Sequence, residues 1–274
     1  MGFESDVKLD AAWRLACSNR ASKVTVQLFD VRQTRQIRTP MTLGTGVFAQ
    51  YEGQDIILTA SHVLDSEYVQ KFGLYVGHRA HGFLDLGDFS FVRTGSEADR
   101  LTDDDLDLAA ILLEPEIANQ LRQGGAFESV TLPYPDFTVE PAHSYVHFIH
   151  GFPIDLSAIS RKGQHFEPTS ISCFLPLHDE ANGTWSTRFA DSKIDFEYTP
   201  KTIIDLDGLD GRLPLPAPHG LSGCGVWRVL SRDDSAPQVQ LVGIVHRFNR
   251  ALGILRATRL DLLYKMVKQM DSES

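Results

Sequence analysis

From Lys23 onward, apolar residues recur with a period of two in short runs, and clusters of Gly, Asp or Pro end each run. Val24, Val26 and Leu28 alternate with Thr25 and Gln27, and further strand-like runs follow at 46–50, 55–59 and 108–113. The same texture returns at 144–150, 170–175, 194–198, 225–230 and 240–246. A period of two places alternate side chains on opposite faces of a strand. Helical stretches of about 10 to 15 residues do not alternate with these runs, so the pattern opposes a parallel βαβ sheet and predicts an all-β, antiparallel protein.

Helical spacing is confined to the two ends. Leu9, Ala12, Trp13, Ala16 and Cys17 predict a short amphipathic helix over 5–20. Leu260, Leu263, Met266, Val267 and Met270 predict a second over about 258–271, capped by Thr258 with Asp261 three residues on. A stretch rich in Gly, Pro and acidic residues, from Gly124-Gly125 to Pro141, separates two halves of similar size. A chain of 274 residues is long for one core but suits a single domain of two β-barrels. The expected bounds are about 22–125 for the first and 140–256 for the second.

Composition narrows the partners. The chain is 42% hydrophobic and 23% charged, the balance of an ordinary globular protein. A net charge of −10 disfavours nucleic acid or an anionic membrane surface as its main partner. No run approaches the ~18 apolar residues of a membrane span. Met1 to Asp6 lacks a basic region followed by an apolar one, so no secretory leader is expected there. Cys17, Cys173 and Cys224 are odd in number and scattered, as expected of reduced thiols in a cytoplasmic protein.

Three segments hold polar side chains suited to catalysis at the edges of apolar runs. His62 leaves the buried-type run Ile56 to Ala60, Asp107 precedes Leu108 to Leu113, and Ser222 lies in Gly220-Leu221-Ser222-Gly223-Cys224-Gly225. A serine hydroxyl is a weak nucleophile near neutral pH. It needs an imidazole to take its proton and a carboxylate to orient that imidazole. The flanking glycines allow backbone N–H groups to converge on one point, as an oxyanion hole requires. Asp105, in the acidic cluster before Asp107, competes for the carboxylate role.

These segments resemble those of the chymotrypsin or trypsin-like serine peptidase family. Thr59, Ala60 and His62 match its histidine motif, Asp107 its Asp-aliphatic-Ala strand, and Gly220, Ser222 and Gly223 its serine motif, in the order His, Asp, Ser. Leu43 to Phe48, His150 to Pro153 and Leu241 to Val245 look like family strands and turns, extending the likeness over roughly 22–270. The resemblance implies two antiparallel six-stranded β-barrels and a serine endopeptidase acting on protein or peptide substrates. His62 is then the base, Asp107 its orienting carboxylate, Ser222 the nucleophile, and the Gly220 and Ser222 N–H groups the oxyanion hole.

Departures shape the rest of the expectation. Cys224 replaces a glycine, Leu221 replaces the aspartate that receives a new N-terminus in zymogen-activated relatives, and no Ile-Val-Gly-Gly segment exists. The likeness is thus to an intracellular branch without zymogen activation. No acidic residue occupies Pro214 to Pro218, which disfavours a Lys or Arg preference. Pro216, His246, Arg247 and Phe248 fall where the family lines its substrate cleft, and the last three are bulky. That bulk motivates the alternative of a latent or non-catalytic module that binds a regulatory protein partner.

Other patterns are weaker. Cys224 stands two residues from the nucleophile slot and reads as a small buried thiol. The serine segment nearly forms an α/β-hydrolase elbow, but its last glycine is missing and the βα alternation is absent. His143, His147 and His150 lack an evident arrangement for zinc, and 205–211 fails as a calcium loop because Leu209 and Pro216 occupy ligand slots. Neither a cofactor nor a metal is expected.

Overall fold

A long hairpin, β1 (Thr25–Thr34) and β2 (Ile37–Tyr51), organises the first half of the molecule. Glu52 and Gly53, both at positive φ (48° and 88°), then turn the chain into β3 (Gln54–Thr59). Two such residues between antiparallel strands match the twist of a tight hairpin. The computed structural model describes residues 11–34, 37–78, 82–94, 106–123, 127–132, 146–156, 158–159, 166–167, 169–178, 193–199, 203–205, 212–230 and 237–261.

Helix α1 (Ala11–Ser22) precedes the hairpin and ends two residues later than the sequence pattern suggests, with 5–10 outside the described residues. It buries Trp13, Cys17 and Ala21. The Thr25 hydroxyl donates to the Ala21 carbonyl and closes its last turn. Beyond β3 come α2 (Glu67–Phe72), β4 (Tyr75–His78), β5 (Gly82–Asp85), β6 (Ser90–Arg93) and β7 (Ala109–Leu112). Helix α3 (Pro115–Arg122) and β8 (Val130–Leu132) complete this half. The strands order as β5-β4-β1-β2-β3-β7-β6, and β8 joins β2 in parallel.

Strand β8 falls inside the stretch expected to link the halves. Strand β1 stops pairing at Val47, which leaves the edge of β2 at Ala49 to Tyr51 for β8, and Leu132 is buried there. Residues 133–145 lie outside the described residues.

The second sheet follows the same antiparallel logic. Its elements are β9 (His147–Gly151), a small hairpin β10 (Ala158–Ile159) and β11 (Phe166–Glu167), β12 (Ile171–Phe174) and β13 (Lys193–Glu197). Another small hairpin, β14 (Ile203–Asp205) and β15 (Arg212–Pro214), precedes β16 (Gly225–Val229), β17 (Val239–Asn249) and β18 (Ile254–Arg259). Six strands order as β12-β9-β16-β17-β18-β13. The molecule is therefore mostly β, with one sheet of eight strands and one of six; among the described residues neither closes on itself.

One expected boundary shifts. Thr258, predicted as a helix cap, pairs with Ile244 and Lys193 inside the sheet, and the chain leaves the strand only at Leu260. The continuous burial of Ile254 to Thr258 between two neighbouring strands outweighs the local capping pattern. The rest of the expected helix lies beyond the described residues.

Strand alternation builds three apolar layers. Phe48 and Ile57 face a core under the first sheet with Leu28, Leu74 and Ile111. Their neighbours Val47, Ala49, Ile56 and Leu58 face the other way and meet Phe148, Trp227, Leu241 and Ile244 of the second sheet. Val226 and Val245 turn from that shared layer to a third core with Ile149, Cys173, Phe196 and Leu221. Each fully buried Leu, Ile, Val or Phe side chain contributes roughly 1.5–3 kcal/mol. The two halves thus hold a common interior as well as their own.

Candidate active site

The register of β3 and β7 brings the first two candidate residues together. Thr59 pairs with Ala109, so the chain leaving β3 runs beside the chain entering β7. After Ala60, residues Ser61–Asp65 form a 3-10 turn that buries Ser61, Val63 and Leu64 and leaves His62 facing outward. On the other side, the Leu108 N–H donates to the Thr94 hydroxyl at 2.9 Å and the Thr94 N–H to the Leu108 carbonyl at 2.9 Å. These bonds hold the backbone next to Asp107.

Asp107 grips His62 at two points. Its Oδ1 accepts the His62 backbone N–H at 2.9 Å, and its Oδ2 lies 2.5 Å from Nδ1 of the ring. Burial alone would raise the Asp107 carboxyl, but the hydrogen bonds and charge of His62, with a smaller contribution from His246, hold it below the usual carboxylate range. A charged acceptor at Nδ1 selects the tautomer with its proton there and leaves Nε2 able to accept one. The His62 side chain is 46% exposed and that of Asp107 17%. Asp105 lies outside the described residues.

Ser222 is half-buried in the turn before β16. Gly220 and Gly223 sit at φ of +90° and +86°, a region that favours residues without a Cβ. A Cβ on Gly220 would meet the Phe152 carbonyl oxygen at 2.5 Å, and one on Gly223 would meet the Thr45 carbonyl oxygen at 1.9 Å. Within this turn, the N–H groups of Leu221, Gly223 and Cys224 donate to the carbonyls of Pro218, Val245 and Leu221. Those of Gly220 and Ser222 have no acceptor among the described residues. A pair of unspent donors two residues apart can bind an oxyanion.

Gly44 lies between the Ser222 turn and the turn that carries His62. A Cβ there would touch the Ser222 carbonyl oxygen at 2.7 Å and Val63 Cγ2 at 3.0 Å. Val63, which follows His62, and the Ser222 backbone therefore flank one point on β2. Among the described residues the Ser222 hydroxyl makes no hydrogen bond, to His62 or to any other group.

The expected cleft residues divide. His246 is the bulged residue of β17, where the register with β18 jumps from Val245 to Arg247. The bulge turns its ring inward, 5% exposed, with Nδ1 3.9 Å from Asp107 Oδ2. It stands behind the carboxylate, away from solvent, where burial pushes it down to about 3 and keeps the imidazole neutral. Arg247 is exposed. Phe248 packs edge-on to Tyr198, with ring centroids 5.5 Å apart, and the Tyr198 hydroxyl donates to the Pro216 carbonyl at 2.8 Å. Tyr198 thus ties Pro216 to Phe248.

One residue at this site went unassigned in the sequence, and another, expected in the substrate cleft, lies buried beside Asp107. Thr45, fully buried on β2, contacts the Ser222 turn, and His246 approaches Asp107 from the second half. The signal for Thr45 was a hydroxyl between two glycines in the otherwise apolar segment Leu43 to Phe48; for the inward turn of His246 there was none, since bulges leave little trace in sequence. Elsewhere, His150 Nδ1 hydrogen-bonds the Ser172 hydroxyl at 2.7 Å, His143 lies outside the described residues, and among those described no group of His, Cys, Asp and Glu suits a metal ion. No helix among them is long and apolar enough to cross a membrane. The chain matches no protein-family model and no curated protein.

Proposed function

We propose that the protein is a serine endopeptidase of the chymotrypsin or trypsin-like type. The observation that carries this reading is the two-point grip of Asp107 on His62, which fixes the tautomer a general base requires. His62 Nε2 takes the proton of Ser222 Oγ as that oxygen attacks a peptide carbonyl carbon. The resulting oxyanion is stabilised by the N–H groups of Gly220 and Ser222. His62 then gives the proton to the leaving amine, and water, activated by the same imidazole, cleaves the acyl-enzyme. The division into two sheets, each over its own core and sharing a third, supports a double-barrel architecture for the same family. Three free, buried cysteines support a reducing, cytoplasmic setting.

The test is covalent. A fluorophosphonate probe should label the wild-type protein at Ser222, and Ser222→Ala should abolish both labelling and peptide hydrolysis. Equal labelling of the two proteins would overturn the assignment. The latent, partner-binding module remains as second reading because the Ser222 hydroxyl and His62 are not hydrogen-bonded. In resting enzymes this contact often tightens only with substrate bound. A wild-type protein that neither labels nor cleaves a peptide library would favour that module.

A further inference from the structure

We infer that Thr45 is a positioning residue that sets the oxyanion hole from the opposite half of the molecule; the inference rests on the peptidase reading above. Thr45 belongs to β2, yet it makes three bonds to the second half. Its backbone N–H donates to the Ser222 carbonyl at 2.8 Å. Its hydroxyl donates to the Gly220 carbonyl at 2.8 Å and accepts the Phe152 N–H at 3.1 Å. Its own carbonyl accepts the Thr59 hydroxyl at 2.8 Å, which ties it to the strand leading to His62.

The two unspent N–H groups belong to the peptide units 219–220 and 221–222. Thr45 holds the two carbonyls that follow them, those of Gly220 and Ser222. Fixing those carbonyls fixes the rotation of the backbone at Gly220 and Ser222, and hence where their N–H groups point. Gly220 at φ +90° needs such a restraint, because glycine has no side chain to limit its conformations. The hydroxyl is used as donor and acceptor at once, so neither valine nor alanine can replace it. Serine can. Phe152 provides the third anchor, which locks the turn to the segment after β9.

The test compares Thr45→Val, Thr45→Ser and wild type by two readouts. The first is amide hydrogen exchange in peptides spanning 218–226. The second is the fluorophosphonate labelling rate, with kcat and KM on a cleaved peptide. Displacement of one oxyanion donor costs about 10²–10³-fold in kcat. The valine variant should therefore lose about 10²-fold in kcat and labelling rate with KM within about twofold, and exchange faster at 218–226 than elsewhere. The serine variant should recover both to within a few-fold. Wild-type kinetics in Thr45→Val, or equal loss in Thr45→Ser, would overturn the inference. So would unchanged exchange at 218–226. Should the valine variant not fold, Thr45→Ala against Thr45→Ser gives the same comparison. Absent labelling of wild-type protein would sink the peptidase reading itself, and the exchange data would still decide whether Thr45 restrains the turn.

Discussion

The proposed base and the proposed nucleophile are held by different physics. His62 and Asp107 leave adjacent antiparallel strands of one sheet, so their encounter follows from the pairing of Thr59 with Ala109. Ser222 lies in a glycine turn whose neighbours are held by backbone bonds to Thr45 and to Val245. One region is determined by strand register within a half, the other by a turn whose bonds are drawn from both halves. A register error would move every side chain of a strand to the wrong face and is strongly resisted. A turn that needs bonds from both halves has no such protection, which makes the Ser222 side the more sensitive of the two.

Substitutions on each side should separate these behaviours. Asp107→Asn leaves the strand register intact but presents an amide to His62 Nδ1. The proposed enzyme should lose about 10⁴-fold in kcat by this wrong tautomer while the protein stays folded; steady-state kinetics beside a melting curve would check it. Gly223→Ala attacks the other side. Its Cβ would fall 1.9 Å from the Thr45 carbonyl oxygen at a positive φ, so a stability loss of ~3 kcal/mol or more is expected in denaturant titration. If the alanine protein were as stable as wild type, the contrast between the two regions would fail.

A smaller effect tests the ground they share. His246 reaches Asp107 from the second half and is held neutral down to about 3, against an ordinary value of 6.5. His150, buried and held down to about 4, adds to the same behaviour. Below pH 6.5 the unfolded chain binds protons that these folded imidazoles refuse, so stability should fall as the pH drops from 6.5 toward 4. The expected slope is up to about 1.4 kcal/mol per pH unit for each group. His246→Gln should flatten this slope over that window. The depressed Asp107 carboxyl contributes stability above its unfolded value that is lost only as the pH falls through its folded value, so it acts at more acidic pH. A slope unchanged in His246→Gln would show that the ring does not stay neutral.

Legibility divides along the same line. The strands carrying His62 and Asp107 were readable because alternation and a polar residue at a run's edge are local signals. Gly220 was readable too, since a glycine beside a candidate nucleophile invites positive φ. Thr45 and His246 were not, because their roles arise from residues more than a hundred positions away in sequence. Short elements were also missed. Helix α3 begins with Pro115 at its first turn and buries Ala118 and Leu121, but eight residues give periodicity little room. Strand β8 has three residues and exists because β2 offers it an unpaired edge. Thr258 misled because its local pattern suits a helix start while its neighbours on both sides are strands.

The layer formed by Val47, Ala49, Ile56 and Leu58 against Phe148, Trp227, Leu241 and Ile244 belongs to neither half. Each half made alone would present this greasy face to water, and so should be insoluble or promiscuously sticky as a separate polypeptide. Made together as two fragments, divided between Leu132 and Val146, the halves should find one another. Reassembly would restore the proposed triad of His62, Asp107 and Ser222 in a single step. The proposed chemistry, divided between two chains in this way, would make a coincidence detector: any pair of tethers that brings the fragments together would be reported by the return of Ser222 labelling.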